Sequence, residues 1–316
     1  MDRTKGPLGF CGESAACEDG DNGSPRACRK QGIPSCRVSF VGTHFGEEPS
    51  FTGTQGSGTI FFSGCSSQCF FCQNYQISIQ HDGRQITPEE LFSEVRALLL
   101  KGPHNLNFVT PDHFWPHVRW LCRTLREEGI KIPKIFNSSG YQKPEMVEAY
   151  AEEMDIFLPD FKFAEPELAK MSMGDARYPE TAFGALRAMV KSKGFLAPWD
   201  TTGVRTARRG VLVRHLVLPG HVENSLKVLR LLHKEFGPGL PLSVMSQFRP
   251  VPGCFQRKKF ERVLNAGEYD QVLDLVEKLG FEKVYTQDLR EETAFLPDFK
   301  DPEDPFPGHR KKDPSR

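Results

Sequence analysis

Three cysteines lie close together in residues 58–74, whose sequence is GTIFFSGCSSQCFFCQN. Cys65, Cys69 and Cys72 follow a C-x3-C-x2-C spacing directly after an apolar run. A structural zinc site needs four ligands, and cubane iron–sulfur clusters usually take four thiolates. Three thiolates at this spacing can bind three irons of a [4Fe–4S] cluster, which leaves the fourth iron open to a substrate or cofactor. The alternatives are a zinc knuckle that a remote residue completes, and a chance spacing.

The composition is that of an ordinary globular protein. Of the 316 residues 38% are hydrophobic and 26% are charged, and 41 basic residues balance 41 acidic ones. A net charge of zero gives no support for nucleic-acid binding. No apolar run approaches the ~20 residues of a membrane span, and the first residues, MDRTKGPLGFCGES, contain no secretory signal. We therefore expect a cytoplasmic protein without a membrane partner, whose clustered thiols serve a metal or catalysis.

Short β-rich runs alternate with helical patterns from residue 58 onward, which predicts βαβ units and a parallel sheet. The fold class is therefore α/β, and six such units fit a partial (β/α)6 barrel of the TIM type. In that layout the chemistry lies on loops after the carboxyl ends of the strands, where the three-cysteine loop falls. Thr87 and Glu90 have capping-box spacing and predict the start of a helix. The predicted strands are residues 58–64, 105–110, 131–137, 154–160, 211–218 and 241–248.

We divide the chain into three parts. Residues 1–56 form an extension rich in cysteine and glycine, residues 57–290 form the barrel, and residues 291–316 form a tail, of which residues 300–316 are expected to be disordered. The extension carries Cys11, Cys17, Cys28 and Cys36 at irregular spacing, and a second metal site built from them looks incomplete. Cys122 and Cys254 are isolated and are expected to be buried and inert.

The sequence resembles the radical S-adenosylmethionine (SAM) superfamily, whose signature is CxxxCxxC with an aromatic residue, here Phe71, before the last cysteine. The resemblance covers roughly residues 38–299. Within the superfamily, CFFCQN, the DxK of residues 160–162 and VRHLVLPG look like the activating enzymes of glycyl radical enzymes. The stretches HFGEEP, NFVTPDHF, NSSGY, FLPDFKF and QFRP look more specifically like an uncharacterised branch labelled pyruvate formate-lyase activating enzyme-like.

This resemblance implies a [4Fe–4S] cluster and SAM as cofactors. In the superfamily, the open iron chelates SAM, and one electron from the cluster cleaves the C5′–S bond. The resulting 5′-deoxyadenosyl radical abstracts a hydrogen atom from a substrate. The resemblance also implies an electron donor of the flavodoxin or ferredoxin type. The substrate is a glycyl radical enzyme in the most specific version and a small molecule in the alternative. A third alternative is a zinc or iron–sulfur binding module without catalysis.

The resemblance also suggests which residues bind the cofactor. Besides the three cysteines, it points to Phe71, Asn74, Thr110, Asp112, Asn137, Ser139, Asp160, Lys162, Arg214 and Gln247. The superfamily motif GGE, which holds the SAM amino group, is replaced here by residues 110–113, TPDH. Asp112 is therefore either a substitute for the motif's glutamate or a helix N-cap.

Three further charged groups have two interpretations each. Asp160 and Lys162 point to one side of a strand and either contact SAM or form a structural ion pair. Arg214 lies within an apolar strand and needs an anionic partner, which is either the SAM carboxylate or a protein carboxylate. The stretch HFGEEP is either a lid, substrate contact or metal ligand, or a solvated cluster of charges. His215, next to Arg214, alternates to the other face and is expected to pack in the core.

Overall fold

The computed structural model describes residues 33–289 and 296–306. Strands and helices alternate through the first of these ranges, as the sequence predicts. The strands are β1 (Cys36–His44), β2 (Ser57–Phe62), β3 (Arg84–Ile86), β4 (Leu106–Val109), β5 (Lys134–Ser138), β6 (Ile156–Pro159), β7 (Gly210–Val211), β8 (Val213–Leu216), β9 (Leu242–Met245) and β10 (Val284–Thr286). The helices are α1 (Pro49–Thr52), α2 (Tyr75–Ser78), α3 (Pro88–Leu99), α4 (Trp115–Glu127), α5 (Met146–Glu153), α6 (Pro166–Met173), α7 (Tyr178–Lys193), α8 (Val222–Phe236) and α9 (Ala266–Lys278), with 3-10 turns at Asp112–Phe114 and Pro252–Cys254.

The strands form an open arc. One sheet has the order β3-β1-β2-β4-β5-β6-β7, and a second has the order β10-β9-β8. Strands β2, β4, β5, β6 and β7 are parallel neighbours, as are β8, β9 and β10. A parallel bridge between Asp160 and Arg214 joins β6 to β8. This confirms the α/β class and the partial barrel, whose carboxyl edge carries the loops predicted to be functional.

Local signals in the sequence explain several of these elements. Helix α3 begins with the predicted capping box, in which the Thr87 side chain accepts from the Glu90 N–H and the Glu90 carboxylate accepts from the Thr87 N–H. Strands β4 and β6 are buried at every position, which agrees with their mostly apolar sequences, LNFV and IFLP. The polar exception, Asn107, donates a hydrogen bond to Glu47. Cys122 and Cys254 are buried and free of disulfides, as expected. None of the helices in residues 33–289 and 296–306 is long and apolar enough to cross a membrane.

Part of the predicted extension belongs to the sheet. Strand β1 pairs antiparallel with β2 on one side and with β3 on the other. Cys36 is buried in β1, whereas Cys11, Cys17 and Cys28 lie outside the described residues. The predicted boundary at residue 56 therefore falls between two paired strands, while the division into domains stays a prediction.

The tail also differs from the expectation. Phe306 packs on Phe40, Phe61 and His44, with ring centroids 5.7, 5.2 and 4.3 Å apart, and Phe299 is buried against Phe61. The expectation of a disordered tail is wrong for residues 300–306, because aromatic contacts with the start of the barrel outweigh the polar composition. Residues 307–316 lie outside the described ranges.

Candidate active site

A cavity of about 610 Å3 lies at the carboxyl edge of the strands. Cys65, Cys69 and Cys72 line it together, on the loop that follows β2. The same cavity is lined by nine of the ten residues predicted to bind cofactor, namely Phe71, Asn74, Thr110, Asn137, Ser139, Asp160, Lys162, Arg214 and Gln247. Segments far apart in the sequence therefore meet here, and the binding roles of these residues stay predictions.

The loop of the three cysteines is held by backbone hydrogen bonds. The Cys72 N–H donates to the Cys69 carbonyl at 3.0 Å, which closes a tight turn between the two thiols. The Phe70 N–H donates to the Ser172 carbonyl at the end of α6, at 3.1 Å. The side-chain amide of Gln73 donates to the Gln247 carbonyl beyond β9, at 2.8 Å. The loop is thus fixed to elements on the far side of the barrel.

The three thiols lie in an environment that disfavours a bare thiolate. Burial, and then the charge of Cys72, raise the pKa of Cys65 to about 11. Burial is also the main cause that raises the pKa values of Cys69 and Cys72. These cysteines are therefore neutral at pH 7 unless a bound cation offsets their charge. A cationic iron–sulfur core supplies that positive charge, so the donor set fits a cluster.

The thiols are not gathered as ligands of a single ion. Within residues 33–289 and 296–306, no group of three His, Cys, Asp or Glu side chains converges closely enough to hold one metal ion. A cubane cluster needs no such convergence, because each thiolate binds a different iron.

Aromatic side chains surround the inner side of this loop. Phe71 is 4% exposed and lies parallel to Phe260, with centroids 6.1 Å apart and an interplanar angle of 5°. Phe163 and Phe248 contact Phe71 from other directions. This apolar wall limits water at the thiols, a condition that tunes an iron–sulfur site.

The ends of β5 and β6 are tied together by one hydroxyl. Tyr178 accepts a hydrogen bond from the Lys162 N–H at 2.9 Å and lies within donating distance of the Ser139 and Asp160 carbonyls, at 2.9 and 3.0 Å. Gly140 has φ of 76°, and a Cβ there would come within 1.9 Å of the Asp160 carbonyl oxygen. Only glycine permits this approach of the two loops.

Asp160 and Lys162 form an ion pair at the cavity wall. Burial would lower the pKa of Lys162, but Asp160, followed by Cys69, outweighs burial and raises it. Lys162 therefore keeps its charge next to the thiols. The pair itself corresponds to the structural interpretation of this motif, and a contact with SAM stays a prediction.

Arg214 is paired with two protein carboxylates. Its guanidinium donates to both Glu47 and Glu48, with a distance of 2.8 Å from Nε to Glu48 Oε1. The side chains of Arg214, Glu47 and Glu48 are 14%, 6% and 8% exposed. Glu47 also accepts from the Asn107 amide at 2.9 Å. Of the two partners predicted for Arg214, the structure shows the protein carboxylate, and burial overturns the solvated interpretation of HFGEEP.

Asp112 does not line the cavity. It is 3% exposed and accepts a hydrogen bond from Gln142 Nε2 at 2.6 Å, while Gln142 Oε1 accepts from the Ser138 hydroxyl at 3.0 Å. The 3-10 turn that it opens has no side-chain cap, so the N-cap interpretation is wrong. Burial raises the pKa of Asp112 to about 6. Asp112 thus supports the loop after β5 from behind.

Thr110, two residues earlier, adopts φ of 49°, which is uncommon for a β-branched residue. Its N–H donates to the Asn137 carbonyl at 2.8 Å, which fixes the ends of β4 and β5 to each other. A residue keeps such a strained conformation only where the surrounding fold enforces it, and residues of this kind are concentrated at functional sites.

Sequence reasoning missed the C-terminal contribution to the cavity. Pro297 and Phe306 line it, and the segment is anchored by Gln76, whose amide donates to Asp298 at 2.8 Å and accepts from the Phe299 N–H at 2.7 Å. The sequence signal that could have indicated this packing is the closely spaced aromatic residues within a proline-rich, charged stretch.

Comparison with known proteins identifies the family. The radical SAM superfamily model matches residues 59–238, more than half of the chain, so the chain belongs to this superfamily. The barrel fold agrees with this membership, and members of the superfamily use a [4Fe–4S] cluster and SAM.

The individual proteins that the chain resembles have low sequence identity to it. An uncharacterized protein of Methanocaldococcus jannaschii, MJ0674, is 27% identical over 79% of this chain and 71% of its own length. The chain is also similar to HydG, a maturase of the [FeFe]-hydrogenase (16% identity, TM-score 0.49), with 73% of this chain covering 51% of that chain. Methylornithine synthase, PylB, shows 15% identity, coverage of 75% and 72%, and a TM-score of 0.45. The chain thus spans about half the length of HydG, and structural likenesses this weak add nothing to the argument from the residues.

Proposed function

We propose that this member of the radical SAM superfamily cleaves SAM reductively and uses the resulting 5′-deoxyadenosyl radical to abstract a hydrogen atom from a substrate. One observation carries the proposal. Cys65, Cys69 and Cys72 line the same cavity as the Asp160–Lys162 ion pair and Arg214, although these groups come from three segments that are far apart in the sequence. A metal site with a purely structural role would not need these charged groups in the same cavity as the thiols.

The protein's own residues prepare the site for this chemistry. When bound, the cluster and SAM supply the electron transfer and the radical. Cys65, Cys69 and Cys72 hold the cluster, and the apolar wall behind Phe71 excludes water from it. Lys162 places a permanent positive charge beside the thiolates, because its pKa is raised.

We assign SAM binding to the side chains and backbone around the remaining wall. Asn137 and Ser139 at the end of β5 and Gln247 after β9 supply polar groups on opposite sides of the cavity. Asn74 and Thr110 also line the cavity, as do Asp160 and Lys162, which directly follow β6. Asp112 acts only indirectly in this scheme, through Gln142.

The substrate class has two candidates. The glycyl-radical activating resemblance favours a protein substrate, whose backbone loop would have to enter the cavity. The covering of one side by Pro297 and Phe306, in a cavity of about 610 Å3, favours a small molecule. We propose activation of a glycyl radical enzyme as the first candidate to test, with the small molecule as the second. A cytoplasmic location belongs to the same proposal.

The deciding experiment measures 5′-deoxyadenosine. The full chain is reconstituted anaerobically with iron and sulfide, reduced with dithionite and given SAM. We expect product from the wild type and none from Cys72→Ala. Cys122→Ala is the control, because Cys122 is also a free thiol but is buried in α4 and does not line the cavity.

Two results would contradict the proposal. One is zinc bound stoichiometrically in place of an iron–sulfur cluster, with no SAM cleavage, which would support a non-catalytic module. The other is equal product from the wild type and Cys72→Ala. A glycyl radical signal in electron paramagnetic resonance spectra of a candidate partner enzyme, present only with active protein, would separate the two substrate classes.

A further inference from the structure

Two serine hydroxyls are buried beside the three cysteines, without a nitrogen or oxygen partner among residues 33–289 and 296–306. Ser67 lies between Cys65 and Cys69, is 1% exposed and lines the cavity. Ser78 is the last residue of α2, the helix that follows Cys72, and is 4% exposed. Both hydroxyl oxygens are shielded from solvent, so bulk water does not satisfy them.

Buried hydroxyls elsewhere in the barrel form hydrogen bonds. The Ser50 hydroxyl lies 2.6 Å from the Tyr285 hydroxyl, and the Ser57 hydroxyl donates to the Asn105 amide oxygen at 2.5 Å. This is the usual state, because a buried polar group without a partner costs free energy on folding. Two buried hydroxyls at one loop that lack such a bond therefore indicate a partner that binds to this loop.

Both serines are associated with sulfur atoms of the predicted cluster ligands. Burial raises the pKa of the Cys72 thiol, and a hydrogen bond with the Ser78 side chain is the largest effect that lowers it. On the other side of the loop, the Ser67 N–H hydrogen-bonds to the Cys65 sulfur. A cubane cluster on these thiols adds inorganic sulfides as further acceptors.

We propose that the Ser67 and Ser78 hydroxyls donate hydrogen bonds to sulfur atoms of the bound cluster and thereby raise its reduction potential. Ser78 donates to the Cys72 thiolate, and Ser67 donates to a sulfide or thiolate on the Cys65 side. This inference rests on the function proposed above, in which the three cysteines hold the cluster. Reduction adds one negative charge to the cluster, and a donor at sulfur stabilises that charge.

The aromatic wall explains why donors from the protein matter here. Phe71 is enclosed by other phenylalanine rings, which limit water at the thiols. Water donates hydrogen bonds to an exposed cluster and stabilises its reduced state, whereas a shielded cluster depends on protein groups. Lys162 supplies a positive charge beside the thiols, and the two hydroxyls supply hydrogen bonds.

A redox titration without SAM measures this effect, so the result does not depend on turnover. Full-length protein is reconstituted anaerobically with iron and sulfide and titrated with titanium(III) citrate. The reduced cluster is followed by electron paramagnetic resonance. We expect the equilibrium constant for reduction to fall about tenfold in Ser67→Ala and in Ser78→Ala, which lowers the potential by about 59 mV for one electron. Ser78→Thr keeps the hydroxyl and should stay closer to the wild-type potential than Ser78→Ala.

Ser172→Ala is the matched control. Ser172 is 3% exposed, and its hydroxyl also lacks a hydrogen-bond partner within the described ranges, but it does not line the cavity. Its contact with the cysteine loop is the bond from the Phe70 N–H to its backbone carbonyl, which alanine keeps. We therefore expect Ser172→Ala to have the iron content and the reduction potential of wild type.

Electron–nuclear double resonance detects the donated protons directly. The reduced wild-type cluster should show proton couplings that disappear in D2O, and one of them should be missing from each of Ser67→Ala and Ser78→Ala. Ser172→Ala should keep them all. If one variant binds too little iron to be titrated, the couplings of wild type and of the other variant still decide the question.

Four results would overturn the inference. An unchanged potential and unchanged proton couplings in Ser67→Ala or Ser78→Ala would overturn it for that serine. An equal shift in Ser172→Ala would show a general effect of packing. A higher potential in either variant would show that water enters the site. A wild-type potential in Ser67→Ala together with weaker SAM binding would assign that hydroxyl to SAM. Failure of the proposed function looks different, because wild type would then form no cluster, or Cys72→Ala would keep it.

Discussion

Removing Arg214 should destabilise the protein through the two carboxylates left behind. Glu47 and Glu48 are more than 90% buried and both accept hydrogen bonds from the guanidinium. Removing one partner of a buried ion pair costs about 3–5 kcal/mol, because the remaining charge is uncompensated. We expect Arg214→Met to lose about 4 kcal/mol of unfolding free energy at pH 8. Methionine keeps the apolar bulk of the side chain, so little of this loss comes from a cavity.

Urea denaturation of the reduced, cluster-free protein measures this change. The triple variant Arg214→Met, Glu47→Gln, Glu48→Gln should recover most of the loss, since it removes both unpaired charges.

A surface ion pair provides the control. Arg187 forms a two-pronged pair with Glu235, but its side chain is 55% exposed. Arg187→Met should leave the free energy of unfolding close to that of wild type, because water screens an exposed pair. A loss below about 1 kcal/mol in Arg214→Met, or a triple variant as unstable as the single one, would refute the reasoning. In the stabilised triple variant, SAM affinity then tests separately whether Arg214 contacts the cofactor.

Three further predictions concern single side chains. His215 is 1% exposed, and burial lowers its pKa to about 4. The unfolded state therefore binds a proton more readily below pH 6.5, so the free energy of unfolding should fall by about 2 kcal/mol between pH 6.5 and pH 5. Urea titrations at several pH values measure this, and an equally steep fall in His215→Gln would contradict it. Gln76→Ala should speed proteolysis of residues 296–306, because both hydrogen bonds that anchor this segment are lost. The control is Gln271→Ala, since the Gln271 amide donates to Gly267 within α9. Equal proteolysis rates in the two variants would argue against the anchor. Tyr178→Phe should cost about 1–3 kcal/mol of unfolding free energy, because the Lys162 N–H loses its buried partner; a stability equal to wild type would show that this hydroxyl does not hold the strand ends.

Local patterns in the sequence predicted most of the barrel. The capping box at Thr87 and the apolar runs of β4 and β6 depend only on neighbouring residues, and the structure has them where they were expected. The three-cysteine loop could be found for the same reason, since its chemistry lies within eight residues. Strand β1 was missed because it lies next to a segment rich in glycine and charge, and its pairing depends on β2 and β3.

The partners of the functional groups could not be predicted in this way. Arg214 is separated by 166 residues from Glu48, so no local rule connects them. Asp112 had the position of a helix cap in the sequence, but its carboxylate accepts a hydrogen bond from the buried amide of Gln142 instead. In both cases a charge inside the fold needed a partner, and the folded chain brought one from a distant segment.

The arrangement also explains why the cysteine loop is attached to so many elements. Phe70 donates to α6, Gln73 to the end of β9, and Gln76 anchors the C-terminal segment. Thiols that are proposed to bind different irons of one cluster must keep fixed separations, and their own loop is short. The surrounding barrel therefore supplies the rigidity that the loop needs, through segments that are far from it in the sequence.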